Sequence, residues 1–180
     1  MSSDTDSEPS YDRLYLDTTV LANFAAADIV DVIPETVENP RTSYAVRAEL
    51  DAGVTAGFET LTRALSGLSD PLDESTAGGI TVAGSLVRQR KTELLDRLAS
   101  GEASVLYQAW AAGVPLATDD RDVRAVATTY RVPTTGSLGL VARAVERGAL
   151  SVDAADAALA VWRDDGLSVP VDSVAVLLAD

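Results

Sequence analysis

Along Arg13 to Asp17, RLYLD, Leu14 and Leu16 alternate with Tyr15 and Asp17, the period-two pattern of a strand. The apolar positions of TTVLANFAAADIVDVI then return at helical spacing and predict one helix directly after Asp17. Pro34 to Pro40 reads as a loop, RTSYAVRAELDAG as a helix stopped by Gly53, and Gly57 to Gly67 as a further helix. SDPLDESTAGG reads as a loop and ITVAGSLVRQRKTELLDRLAS as mostly helical, with Gly101 punctuating before the helix EASVLYQAWAAG. From there the pattern alternates: VPLAT a strand, RDVRAVATTY a helix, VPTTG a short strand, SLGLVARAVERG a helix. SVDAADAALAVWRDDG closes as a capped helix, and LSVPVDSVAVLLAD is a tail expected to pack back on the domain.

Strands alternating with helices predict an α/β fold with a mostly parallel sheet covered by helices, in which ligands bind beyond the carboxyl ends of the strands. Asp17 and the pair Asp119 and Asp120 fall at two such ends, with Asp122 close behind. At 180 residues and 47% hydrophobic, the chain has material for one sizeable core. The expected organisation is an acidic, disordered N-terminus over residues 1–11 and a single domain over 12–180.

Composition narrows the chemistry. With no Cys and no His, zinc sites of Cys and His, thiol and Ser-His-Asp catalysis and imidazole acid-base chemistry are excluded, leaving carboxylates, hydroxyls, amides, Lys and Arg. A net charge of −14 would ordinarily repel a polyanion. Yet Lys91 is the only lysine, and the weight of Ala, Val, Asp and Glu resembles proteins of salt-loving microbes. At about 1 M salt the Debye length falls to about 3 Å, so acidity does not exclude RNA. MSSDTDSEPS lacks the regions of a signal peptide, and no apolar run approaches the roughly 20 residues that span a bilayer. The expectation is a cytoplasmic protein with no membrane partner.

Two glutamates stand on apolar helix faces. Glu49 follows Ala45 and Val46 at helical spacing, and Glu102 shares the face of Val105, Leu106 and Ala109. A buried carboxylate is costly unless a cation compensates it or its pKa rises. Oxygen ligands without His or Cys point to Mg²⁺ or Mn²⁺. Each acid also has an ordinary reading: Asp17 as a helix cap, Glu102 as a first-turn acid, one of the three aspartates as the cap of the next helix, Glu49 as a solvated charge near Arg47.

LYLDTTVLANFAAADIVDVI, AVRAEL and GEASVLYQAWAAGVPLATDDRDVRAVATTYRVPTTGSLGLVARAVERGAL together resemble PIN domains, the ribonuclease fold of VapC-like toxins. The last block resembles a stand-alone prokaryotic subgroup with GE and DDR motifs and a TGSLG segment. The resemblance implies a three-layer α/β/α domain whose acidic pocket binds Mg²⁺ or Mn²⁺ and cleaves single-stranded RNA. It assigns catalysis and metal binding to Asp17, Glu49, Glu102 and Asp120, with Asp119 the neighbouring candidate ligand and Asp120 favoured. Thr18 or Thr19, Asn23 and Thr118 fall where the family steadies ligands or water, although Thr19 and Asn23 also have capping or helix-surface readings. Residues 53–100 depart from the compact family pattern and are expected to form a helical insertion. Within it Arg88, Arg90, Lys91 and Arg97 are either a solvated face or phosphate contacts. A homodimer and an antitoxin protein are the further partners implied. The alternative is a catalytically idle PIN fold acting as a binding or regulatory module. A phosphoacceptor receiver domain would need a Lys after a late strand, and a phosphatase a second Asp in LDTTV; both are lacking.

Overall fold

Arg13–Leu16 forms β1, and its residues after Arg13 are buried on both faces, as a strand in the middle of a parallel sheet must be. The structure is a computed structural model that describes residues 11–84, 94 and 96–178. Asp17 ends β1 and caps α1 (Thr18–Ala26). Then come α2 (Val32–Thr36), β2 (Asn39–Thr42), α3 (Tyr44–Thr55), α4 (Leu61–Ser66), β3 (Leu68–Ser69) and β4 (Ile80–Val82). The second half carries α5 (Ser100–Ala112), β5 (Leu116–Ala117), α6 (Arg121–Thr129), β6 (Thr134–Thr135), α7 (Ser137–Glu146) and α8 (Val152–Asp164). A 3₁₀ turn at Val174–Leu178 packs the tail back through buried Val174.

The six strands form one sheet in the order β3-β4-β2-β1-β5-β6. Every pairing is parallel, with Tyr15 opposite Arg41 on one side and Leu116 on the other. Helices cover the sheet in a three-layer α/β/α arrangement. From β1 the chain moves outward to β2, and from β5 it moves the opposite way to β6, so the carboxyl ends of β1 and β5 flank the crevice where such sheets bind ligands. Beneath that crevice, Trp162 of α8 packs on Phe24 with centroids 5.6 Å apart and donates its indole N–H to the Asn23 carbonyl at 2.6 Å. This contact fixes α1 against α8, and with it the residues of α1 that face the strand ends.

Four sequence expectations are corrected. The single helix after Asp17 is two, because Asp28 takes a left-handed φ of 59° that a continuing helix cannot accommodate. The expected loop at Pro34–Pro40 contains the last residues of α2, in whose first turn Pro34 lacks no needed N–H, and the start of the central strand β2. Pro40 disguises that strand, since proline is rare inside sheets. The helix expected to stop at Gly53 continues to Thr55. The described part of residues 53–100 is not wholly helical: beside α4, β3 and β4 complete one edge of the sheet, and Ile80–Val82 is a strand where a helix was expected, while residues 85–93 and 95 of that expected helix lie outside the described residues. Both strands are too short to display alternation.

Candidate metal centre

Asp17 follows the last residue of β1 and is fully buried. Its backbone N–H donates to the Ala117 carbonyl at 2.9 Å, which registers the ends of β1 and β5. Its carboxylate accepts from the Thr18 N–H at 2.7 Å on Oδ1, and on Oδ2 from the Thr118 hydroxyl at 2.8 Å and the Thr19 hydroxyl at 3.1 Å. A carboxylate has about four acceptor positions, so Oδ1 keeps one open. Burial dominates the acidity of Asp17: desolvation raises the carboxyl from 3.8 to about 6 against the lowering effect of these donors, and the charge of Glu102 adds to the rise.

Glu49 reaches the same crevice from α3. Its Oε2 accepts from the Thr18 hydroxyl at 2.6 Å and its Oε1 from the Gly101 N–H at 2.7 Å. Gly101 is required there, because a Cβ on it would collide with the Glu49 carboxylate. Arg47 does not neutralise Glu49; it pairs with Asp70 and, at 3.3 Å, with Asp73. Glu49 is therefore not the solvated helix-end charge of its plainer reading, being half-buried and bonded to Thr18 and Gly101.

Glu102, in the first turn of α5, accepts from the Ala99 N–H at 2.9 Å through Oε2. The first-turn reading of Glu102 is thus correct as local structure, and it leaves Oε1 without a hydrogen-bond partner among the described residues. Burial raises its pKa, and the charges of Asp120, Glu49 and Asp122 raise it further against the Ala99 bond. Asp120 caps α6, its Oδ1 accepting from the N–H groups of Asp122 at 2.8 Å and Val123 at 2.9 Å, while Oδ2 has no hydrogen-bond partner among the described residues.

Asp119 has a different task. Oδ2 accepts from the Asn23 amide at 2.9 Å and from the Ser137 hydroxyl, and Oδ1 accepts from the Ser137 N–H at 3.0 Å with Arg124 at 3.9 Å. Its own N–H donates to the Thr19 hydroxyl at 3.1 Å. These bonds tie the end of β5 to α1 and to the start of α7, and they use most of its acceptor capacity. As a candidate ligand Asp119 is therefore inferior to Asp120.

Thr118 and Thr19 steady Asp17, Thr18 steadies Glu49, and Asn23 steadies Asp119. Gly101, read from sequence as punctuation before the helix, lies inside α5, and neither it nor buried Ser137 was assigned to the site, although GE and TGSLG contain them. Of the basic segment, Arg97 is exposed, and Arg88, Arg90 and Lys91 lie outside the described residues.

Among the described residues no three acids are drawn together as a finished cation cage. What is present fits a hard divalent cation in another way. Asp17, Glu49, Glu102 and Asp120 offer oxygen donors only, each keeps open acceptor positions, and the charges of Asp17, Glu49 and Asp120 act on Glu102 or it on them. No Arg or Lys pairs with any of these four among the described residues. A family model described as PIN domain matches residues 14–179. No curated protein matches the chain.

Proposed function

The chain belongs to the PIN domain family, a nuclease fold, and on that premise we propose that it is a Mg²⁺- or Mn²⁺-dependent endoribonuclease acting on single-stranded RNA. The observation that carries this reading is that Thr18 bonds both Asp17 and Glu49 at the end of β1 while the charge of Glu102 acts on Asp17 and those of Glu49 and Asp120 act on Glu102, with no basic side chain pairing with these acids among the described residues. Uncompensated carboxylates in that position destabilise the empty fold, and a functional cation is the simplest reason to keep them.

Asp17, Glu49, Glu102 and Asp120 would hold the cation. When bound, it would polarise a phosphate oxygen and lower the pKa of water at the site. The protein's own part is orientation and proton transfer. Thr118, Thr19 and the Thr18 N–H fix the rotamer of Asp17 and leave one Oδ1 acceptor position open. Thr18 and Gly101 do the same for Glu49. Glu102 keeps an Oε1 with no hydrogen-bond partner among the described residues, and burial raises its pKa, so it would be the group to accept a proton from an attacking water.

The test is cleavage of a fluorescent single-stranded RNA in high-salt buffer with Mn²⁺, Mg²⁺ or EDTA, comparing wild type with Asp17→Asn and Glu102→Gln. Metal-dependent cleavage lost in both variants supports the reading. Mn²⁺ binding without cleavage of any RNA would favour the idle binding module instead. A toxin role with an antitoxin partner and a homodimeric state belongs to the same proposal; co-purification with the product of an adjacent gene and mass by light scattering test the two.

A further inference from the structure

Beside the acids, on the outer side of Asp119, lies a cleft of about 540 Å³ bounded by the start of α6, the end of β6, the start of α7 and the segment after α8. Two cations open onto it. Arg121 is exposed and has no ion-pair or hydrogen-bond partner among the described residues. Arg124 is held by a 3.0 Å bond to the Thr135 carbonyl and lies 3.9 Å from Asp119. Thr134 and Thr135 also line it, and Leu138, Leu167 and Val169 give it an apolar part. Gly136 lets Arg124 and Asp119 lie close against the start of α7, since a Cβ there would strike both.

In a chain of net charge −14, an unpaired Arg costs nothing to neutralise, because acids are plentiful. Arg121 nevertheless follows Asp120 directly in sequence and stands free at the mouth of a cleft whose volume suits one nucleotide. We propose that this cleft is the subsite for a nucleotide flanking the scissile bond, with its phosphate on Arg121 and Arg124 and its base against Leu138, Leu167 and Val169. The inference rests on the nuclease reading and adds to it where the strand leaves the acids. Arg presents a planar fork that matches phosphate, and an apolar surface accepts any base face, so the subsite anchors RNA without selecting sequence. It also resolves a physical conflict: a polyanion approaching four carboxylates needs local positive charge, and the arginines of α6 supply it next to the acids.

The experiment measures binding of a short labelled single-stranded RNA in EDTA, where nothing is cut, across a series of salt concentrations. Arg121→Ala is compared with wild type, alongside Ser168→Trp, which fills the cleft from its rim. Both variants are expected to bind RNA about tenfold more weakly, Arg121→Ala through a lost charged hydrogen bond and Ser168→Trp by occupying the cleft. Arg121→Ala should also flatten the salt dependence by about 0.7 in log-log slope, the share of one phosphate contact on a single strand. Mn²⁺ binding, read separately by titration, should be unchanged in both. RNA binding equal to wild type in both variants overturns the subsite and leaves the nuclease reading intact. Weaker binding with an unchanged salt slope in Arg121→Ala overturns the phosphate assignment. Wild type that binds neither RNA nor Mn²⁺ overturns the nuclease reading and the subsite with it.

Discussion

The Thr118 hydroxyl donates to Asp17 Oδ2 at 2.8 Å across 101 residues of sequence, and both side chains are fully buried. This bond joins the ends of β1 and β5 and holds the most deeply buried acid of the site in one orientation. Thr118→Val keeps the volume and removes the donor. Asp17 then loses a group that favours its charged form, so its pKa moves further up and Mn²⁺ affinity at pH 7 falls, with the pH dependence of binding displaced to higher pH. A Mn²⁺ titration from pH 5 to 8 checks this; a wild-type profile from Thr118→Val would show that the hydroxyl does not tune the site.

Asp17 also makes stability depend on pH. Its carboxyl is raised from 3.8 to about 6, so between those values the folded protein binds the proton that the unfolded chain has released. Stability from this group is therefore present below pH 3.8 and is lost as pH rises through about 6, a penalty on the order of 3 kcal/mol at neutral pH without metal. Asp17→Asn removes the penalty and gives up cation binding. In EDTA at pH 7.5 the variant should melt several degrees above wild type, with the gap closing at pH 4. A variant that melts lower than wild type at pH 7.5 would contradict a strained, uncompensated carboxylate.

Asp119 and Asp120 should separate cleanly. Asp119→Ala strands Asn23, Ser137 and Arg124 and should cost about 2 to 3 kcal/mol in chemical denaturation. Asp120→Ala loses only a helix cap, about 1 kcal/mol, but should abolish or sharply weaken Mn²⁺ binding. Urea melts and Mn²⁺ titrations of the two variants decide it, and a reversed order of effects would make Asp119 the ligand.

Gly101→Ala places a methyl against the Glu49 carboxylate. Glu49 must swing away, losing its bonds to Gly101 and Thr18, so Mn²⁺ affinity should drop at least tenfold while the helical circular dichroism signal stays as in wild type. Gly101→Ser should behave the same way, because the obstacle is the Cβ itself. Unchanged affinity in both would mean that Glu49 does not contribute to the centre.

The second half of the chain was legible in detail. β5, α6, β6, α7 and α8 lie within the segments their apolar spacing marks, because turn residues bound each of them. β2, β3 and β4 were not. Pro40 gives a central strand the look of a turn, and strands of two or three residues have no room for a period. Asp17, Glu49, Glu102 and Asp120 were legible as candidates from strand ends and helix faces, yet Asp17, Glu102 and Asp120 also serve as the local caps that a plainer reading expects. Capping and site geometry coexist because a helix start at a strand end needs an acceptor in the same place that a ligand needs one.

By itself the sequence determined the alternation of apolar segments, the absence of imidazole and thiol, and an acid at each of the two strand ends, since these are local properties of residue type and spacing. Only the tertiary structure decided which acids remain open. Asp119 and Asp120 are adjacent and chemically identical, but one is consumed by Asn23 and Ser137 and the other keeps a free oxygen. That difference arises from donors 96 and 18 positions away in sequence, brought together by the packing of α1 and α7 around β5, and no local pattern records it.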